Sequence, residues 1–394
     1  MPWKVTDTMS LRAELVSLMQ REGANVSELC RRFGVSRKTA YKWLARANGP
    51  EPARWADRSR RPKQSPARTE EKLEREVVRL RSEHPAWGGR KLKRRLEDIG
   101  VRAVPAASTV HAILRRHDLL NPAESGKHRA FQRFEHPAPN DLLQMDYKGH
   151  FALDHGRCHP LTVIDDHSRY ALELGACGNE RTETVRDRLT AVFRRYGLPT
   201  RMLCDNGPPW GDSYSGGFTE LALWLLRLSI AVSHGRPYHP QTQGKDERFH
   251  RTLKAELLAN RRFADLAECQ RSFDRFRQVY NHERPHEALS LAVPASRYRV
   301  SPRAYPEVLP AIEYAPDVHV RRMQKNGFLH FQGKQFRLPK VFAGQPLGLR
   351  PTTQDGIVDV LYCTVVVCVL DLSSGKTTKP VTHVSEHLVP MSPV

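Results

Sequence analysis

The sequence lacks any apolar run approaching the ~18 residues that a membrane-spanning helix requires. Its longest such stretch, Val360 to Leu370, is rich in β-branched residues and reads as buried strand. The first ten residues, MPWKVTDTMS, show no charged-then-apolar leader pattern. Cysteine is scarce: seven residues, odd in number and scattered, with no C-x-x-C pair, so neither a disulfide framework nor a thiolate zinc site is expected. Collagen-like, disulfide-rich secreted and integral-membrane classes are excluded, and a reducing cytoplasm is the expected setting. Acidic residues are also in deficit, 43 against 63 Lys plus Arg, for a formal net charge of +20 on 394 residues. An excess of that size on a folded chain points to a polyanionic partner, nucleic acid first.

Proline and arginine punctuate the chain. Residues 49–68, GPEPARWADRSRRPKQSPAR, carry no helical or strand period and read as a basic linker. Further breaks fall at 123–139 and at 301–317. The expected pieces are a helical module at 1–48, a second at 69–122, a middle domain at 140–300 and a β-rich tail at 318–394.

The first module reads as three helices. Leu11, Leu15, Leu18 and Met19 share one face of the first. Ser27 is expected to cap a short second helix, Gly34 to supply the left-handed turn after it, and Ser36 to cap a third that points Ala40, Trp43 and Leu44 inward. Two short helices about a glycine turn form the helix-turn-helix pattern, whose second helix reads DNA in the major groove. Arg37, Lys38, Thr39, Tyr41 and Lys42 occupy its outward face and are the candidate DNA contacts. An ordinary three-helix bundle with a solvated basic face would carry the same composition. The second module repeats the pattern loosely: EKLEREVVRLRSEHP, then WGGRKLKRRLEDIG, then a helix capped by Ser108, with Lys91, Arg94, Arg115 and Arg116 on a basic exposed side. It is expected to be a further helix-turn-helix or winged-helix-like unit.

In the middle domain NDLLQMDYKGHF alternates as a strand, with Leu143, Met145 and Tyr147 on one face and Gln144, Asp146 and Lys148 on the other. LTVIDDHSRYALELGAC reads as a hairpin in which Asp165 and Asp166 are solvated turn residues. An amphipathic helix over 180–197 closes at Gly197, and the short strand RMLC runs into Asp205-Asn206-Gly207. That tripeptide is ordinary hairpin chemistry, but Pro208 and Pro209 follow at once and neither continues a paired strand, so Asp205 is better placed at a site. A helix near 217–227 and a strand at SIAVSHG precede PYHPQTQGKDERFHRTLKAELLAN. Its second half carries Glu247, Arg251 and Lys254 on one helical face, with His239 in the preceding loop as a structural residue.

QMDYKG, then CDNGPPW, then HPQTQGKDERFHRTLK resemble, in order, the three signatures of DDE-type bacterial insertion-sequence transposases with a retroviral-integrase-like core. With the upstream helix-turn-helix segments the resemblance covers most of the chain. It implies a multidomain protein: all-α helix-turn-helix modules, an α/β ribonuclease-H-like integrase core with a mixed five-stranded sheet at 140–300, and a β-rich tail. In that tail the runs VHVRRM, FLHFQGKQFRLP, GQPLGLRP, IVDVLY and TVVVCVLDL read as a small all-β C-terminal barrel or a curled sheet. It implies cleavage of donor DNA at the element's ends and joining of the freed 3′-hydroxyls to target DNA. Asp146, Asp205 and Glu247 are then the catalytic and metal-binding residues, holding two Mg2+ ions for which Mn2+ can substitute. Oxygen ligands suit Mg2+, and two such ions can activate the attacking oxygen and stabilise the leaving one. The interval from Asp205 to Glu247 leaves 41 residues between them, more than in many members, and a longer GPPWGDSYSGG loop accounts for it. Asp246 and Glu256 are the rival acids. Arg251 and Lys254 are the candidate contacts to the DNA end. The implied partners are terminal inverted repeats, target DNA and further copies of the chain on paired ends, with no membrane, in the nucleoid-associated cytoplasm of a bacterium. A DNA-binding regulator that keeps the fold without the chemistry is the alternative, and the presence of all three acids discriminates against it. A ribonuclease of the same fold would not need two DNA-reading modules.

Overall fold

The structure, a computed structural model, describes residues 7–49, 54–57, 68–120, 135–205, 207–211, 218–234, 244–259 and 261–378. The chain forms two compact units, Met1–Arg68 and Thr69–Val394. His239 and Asn206 lie outside the described residues, as does part of the GPPWGDSYSGG loop.

The first unit has helices α1 (Thr8–Met19), α2 (Val26–Arg32) and α3 (Arg37–Arg46). Leu15, Val16, Met19, Cys30, Ala40 and Trp43 are buried, whereas Leu11, expected inside, is 40% exposed. Gly34 takes a φ of +62°, the left-handed turn that separates the two helices of the motif. Ser36 caps α3, its hydroxyl accepting from the Thr39 N–H at 3.2 Å. The cap of α2 is Asn25, which accepts from the Glu28 N–H at 3.2 Å, and Ser27 lies inside the helix. Asn holds this position as well as Ser, so the choice was not readable from capping preference alone.

The second unit opens with α4 (Glu71–Glu83), α5 (Gly89–Asp98) and α6 (Ala107–Arg116), packed around Val77, Leu80, Trp87, Leu92, Leu96, Val110, Ile113 and Leu114. Ser108 falls within α6, whose N-cap is Ala106 without a side-chain cap bond. The middle domain follows as β1 (Leu142–Tyr147), β2 (Phe151–Ala152), β3 (Arg157–Asp165), β4 (Ala171–Cys177), α7 (Thr182–Tyr196), β5 (Arg201–Cys204), α8 (Glu220–Arg227), β6 (Ala231–His234), α9 (Gly244–Leu253) and α10 (Leu266–His282). Its mixed sheet runs β4-β3-β1-β5-β6, with the two-residue β2 added on β3. β1 is antiparallel to β3 and parallel to β5, and β5 is parallel to β6. One face of the sheet packs on α7 and α8 through Val185, Leu189, Phe193, Leu221, Trp224 and Leu225. The other packs on α9 and α10 through Phe249, Leu253, Phe273, Phe276 and Tyr280. Residues 301–317 lie against this domain: Leu198 donates to the Arg303 carbonyl at 2.7 Å, and Ser301 to the Tyr196 carbonyl at 2.8 Å. Gly197 permits that approach, because its φ is +77° and a Cβ there would meet the Ser301 carbonyl at 2.6 Å.

The C-terminal region comprises β7 (His319–Arg322), β8 (Phe328–Phe331), β9 (Lys334–Arg337), β10 (Pro346–Pro351), β11 (Ile357–Tyr362), β12 (Val365–Asp371) and β13 (Lys376–Thr378). The strands match the apolar runs, and of the two expected forms the closed barrel is not seen: the five-stranded sheet β13-β12-β11-β10-β7 stays open among the described residues, and β8-β9 is a separate ribbon. Val360 to Leu370 is likewise not one strand. It folds into the β11-β12 hairpin, turning at Cys363, whose φ is +53°. Composition alone does not mark such a turn.

Two surface expectations fail in the second unit. Asp165 and Asp166 are buried, at 0% and 3% exposure. Asp165 accepts from the backbone N–H of Asn140 at 2.8 Å and of Ser168 at 2.7 Å. Asp166 accepts from the His136 N–H and from Gln144 Nε2, both at 2.8 Å. Lys91, expected on an exposed basic face, is half-buried where α5 faces the middle domain. Arg95 of the same helix pairs with Glu283, and Val279 packs against this module's core. Burial, and then Arg284, push the Lys91 ammonium down to about 8. Arg94 pairs with Asp98 at 2.8 Å and Arg116 with Glu74 at 3.0 Å, while Arg115 remains exposed.

A lysine with a lowered folded-state pKa weakens the fold while it is charged, and stability rises as pH passes from about 8 toward the unfolded value of about 10.4. Lys91→Met is therefore expected to stabilise the full chain by on the order of 1–3 kcal/mol at neutral pH, with the gain shrinking as pH approaches ~10. Denaturant unfolding of both proteins at about pH 7 and about pH 9.5 checks this; a loss of stability at neutral pH would show that the ammonium is well compensated.

Candidate active site

The register of the central sheet assembles the first part of the site. Gln144 of β1 lies opposite Leu203 of the parallel β5. Asp146 is two residues beyond the first and Asp205 two beyond the second, so both acids stand at the carboxyl ends of adjacent strands. Ligands of open α/β sheets bind in the crevice outside those ends. β1 carries buried Leu143 and Met145 on one face, while Gln144 turns the other way onto Asp166. Helix α9 packs against β1 and brings a third acid alongside. Glu247 is exposed there, on the same side as Arg251 and Lys254. The helix widens into a π turn over Lys254–Leu258, so Lys254 sits at the junction rather than inside a continuous α-helix. The N-terminus of α9 is tied to the sheet by Lys245, which is bonded to the Asp166 carboxylate.

The two rival acids are otherwise engaged. Glu256 is paired with Arg284 at 2.8 Å. Asp246 is fully buried, and neither carboxylate oxygen has a hydrogen-bond partner among the described residues. Burial, with Asp146 and Asp166 adding repulsion, raises its pKa well above the usual carboxylate value.

Negative charge is concentrated at the strand ends. Burial raises the Asp146 carboxyl to about 7, with Asp205 the next contributor and Glu247 and Glu180 adding to it against the opposing Tyr147 N–H. The Cys204 thiol, just before Asp205, is raised by burial and then by Asp246, Asp146 and Asp205. A divalent cation would relieve this repulsion, and an all-oxygen donor set fits a hard ion such as Mg2+. Among the described residues no three His, Cys, Asp or Glu side chains converge on one ion position.

The structure adds residues that the spacing argument did not single out. His250 Nδ1 lies 3.9 Å from Asp146 Oδ2, and its Nε2 lies 2.9 Å from Thr162 Oγ1. Burial, and then Lys148, push the ring down to about 4, so it is neutral and the approach to Asp146 is not an ion pair. Lys148 is itself lowered by burial and by Lys254, which puts these two cations within range of each other beside the acids. Lys148 shares the Asp146 strand face by simple alternation, so it could have been named from sequence. His250 follows Glu247 by one helical turn, a weaker signal. Thr162 is placed opposite Asp146 by pairing with β3, which no local pattern encodes.

In the first unit, Arg37, Lys38, Tyr41 and Lys42 are exposed along α3. Thr39 is partly covered, its hydroxyl 2.9 Å from that of Ser36. The Lys42 ammonium also lies 4.4 Å from the Trp43 ring centre.

Family models match in the same order. A Helix-turn-helix domain matches residues 11–63 and a Homeodomain-like domain 39–114. Two Integrase core domain models match 136–240 and 228–294, and the IS481 family transposase C-terminal domain matches 318–378. The middle domain is thus similar to integrase cores, and the tail to the C-terminal domain of IS481 family transposases. Curated relatives include the insertion element IS407 31.7 kDa protein of Burkholderia multivorans, 26% identical over 44% of this chain and 62% of the relative. The insertion element IS476 39.2 kDa protein of Xanthomonas euvesicatoria is 26% identical over 55% of this chain and 57% of the relative. The chain thus spans about three-fifths of the length of each. Among solved structures, a simian T-cell lymphotropic virus intasome chain aligns with a TM-score of 0.39 at 16% identity, covering 72% of this chain and 91% of that chain. No helix among the described residues is long and apolar enough to cross a membrane.

A buried carboxyl without partners costs roughly 1–3 kcal/mol relative to an apolar group of the same shape. Asp246→Val is accordingly expected to raise the unfolding free energy by about that amount. Equilibrium denaturation checks it, and a destabilised variant would show that Asp246 has a partner when the chain is in solution.

Proposed function

We propose that the chain is a Mg2+-dependent DNA transposase that binds the terminal inverted repeats of its element, cleaves donor DNA at the ends and joins the 3′-hydroxyls to target DNA. The observation that carries the reading is the pair of acids at adjacent parallel strand ends, Asp146 and Asp205, with Glu247 exposed on the helix packed against the first. Asp146, Asp205 and Glu247 would hold two Mg2+ ions, with Mn2+ able to substitute; bound there, they supply an activated attacking oxygen and a stabilised leaving oxygen for in-line displacement. The chain's own part is orientation. The β1-β5 pairing fixes the two aspartates side by side, and the Lys245–Asp166 tie fixes the start of the helix that carries Glu247. Lys148, Arg251 and Lys254 border the acids with positive charge, suited to phosphates flanking the scissile bond. Reading of the ends falls to Arg37, Lys38, Thr39, Tyr41 and Lys42 on α3, with Arg94 and Arg115 at backbone phosphates. The domain division at 1–48, 69–122, 140–300 and 318–394 belongs to this reading, as do assembly of several copies on paired ends and residence on the bacterial nucleoid.

The test separates chemistry from binding. Asp146→Asn, Asp205→Asn and Glu247→Gln should each abolish cleavage and joining while affinity for terminal-repeat DNA is retained. Arg37→Ala and Lys42→Ala should do the reverse at the first step, losing preference for terminal over random DNA by about 1–3 kcal/mol per base contact. Full joining by any of the acid variants with Mg2+ present would remove that residue from the site.

Arg251 and Lys254 give a second test. Among the described residues no ion pair joins Glu247 to Arg251; the neighbouring Arg248 pairs instead with Glu287 at 3.3 Å. Replacing Arg251 and Lys254 together by Ala should slow joining and make the salt dependence of DNA binding shallower by roughly two counter-ions, with little change in melting temperature. A large drop in melting temperature with unchanged DNA affinity would assign the pair to the fold.

A further inference from the structure

Thr162 lies directly opposite Asp146 across the β1-β3 pair, and it is fully buried. Its hydroxyl has one proton, which goes to the Asp146 backbone carbonyl at 2.9 Å. The same oxygen is 2.9 Å from His250 Nε2. With the hydroxyl proton already committed, the Thr162 oxygen can only accept from the ring, so Nε2 carries the imidazole proton. Nδ1 is then a bare acceptor turned toward Asp146 Oδ2, at 3.9 Å too far for a direct hydrogen bond. The groups facing the ring are Asp146 and Thr162 from the sheet, Lys148 just beyond the end of β1, and Phe249 on its own helix.

We infer that His250 is a positioning residue: by donating to Thr162 it keys the helix carrying Glu247 to the strand carrying Asp146, and so sets the spacing of the two acids. The inference rests on the reading of those acids as metal ligands. Two hydrogen bonds in series connect α9, β3 and β1 at the level of Asp146 itself, in a place from which water is largely excluded. His250 stands one turn beyond Glu247, so a small rotation or slide of α9 would break the Nε2–Thr162 bond and move Glu247 together. Lys245 and Asp166 hold the start of the helix, but they lie on the far side of Glu247 from this link. The helix is thereby pinned both before and after the acid it presents. Residues that orient metal ligands through hydrogen bonds commonly change metal affinity 10–100-fold when removed.

The experiment is a double-mutant cycle on the full chain, with Mg2+ alone titrated by calorimetry and the Mg2+ concentration for half-maximal joining measured in parallel. Thr162→Val keeps the shape and removes both bonds. His250→Phe keeps a ring without the donor, and His250→Gln returns an amide N–H near the Nε2 position. Thr162→Val and His250→Phe should each weaken Mg2+ binding about tenfold, the double variant should be no worse than the weaker single, and His250→Gln should recover most of the loss. Melting temperatures are read on the same samples. Losses that add in the double variant, or a His250→Phe protein that melts lower yet binds Mg2+ as the wild type does, would overturn the inference and leave His250 as packing. A wild-type chain that takes up no Mg2+ would overturn the metal-site reading and this inference with it, an outcome distinct from unchanged variants of a chain that binds.

Discussion

Parallel pairing of β1 with β5 puts two carboxylates side by side at one end of a sheet, in surroundings dry enough to raise Asp146 to about 7. Like charges so placed repel, and a fold that keeps them there must hold both strands and the adjacent helix against that repulsion. The buried polar groups around the site serve this purpose. Asp165 binds the backbone at Asn140 and Ser168, Asp166 binds Gln144 of β1 and Lys245 of α9, and Thr162 binds the Asp146 carbonyl. The Asp165–Ser168 bond shapes the turn after β3, whereas the others tie segments distant along the chain.

The surrounding layers follow from ordinary burial. Helices α7 and α8 cover one face of the sheet with Leu189, Phe193 and Trp224, and α10 covers the other with Phe273, Phe276 and Tyr280. Helix α10 also supplies the contact surface for the second helical module through Val279 and neighbouring Glu283. That docking accounts for Lys91: a helix that turns toward the middle domain cannot offer the same residue to DNA. Arg115 stays exposed because it lies off the face of α6 that buries Val110, Ile113 and Leu114 in the module's core.

Asp246 stands apart from this economy. It is buried, raised in pKa by that burial and without a hydrogen-bond partner among the described residues, one position before the acid on which the functional reading depends. A polar group in that state weakens the fold locally, and sites of chemistry are where such departures from good packing are usually tolerated.

Much of the architecture was legible along the chain because it is local. Glycine turns, Ser36, the alternating strands of the tail and the amphipathic helices depend on neighbours a few residues away. Even the acids could be ordered, because three short motifs carry them. What the sequence did not decide was anything set by partners distant along the chain. Ser27 was read as the cap of α2, but Asn25, two residues earlier, holds that position. Asp165 and Asp166 read as solvated because a turn is normally wet, yet buried donors from Asn140, Gln144 and Lys245 converge on them. The tail's strands were evident but not whether their sheet would close, since closure depends on how edges far apart in sequence meet. The link from His250 through Thr162 to Asp146 likewise needs the β1-β3 register and the seat of α9 on the sheet. Periodicity and turn chemistry act over one or two turns of chain, and so the sequence by itself determined the elements and their motifs; burial and long-range hydrogen bonds act across the fold, and only the tertiary structure decided which acids are wet, which are held and which face one another.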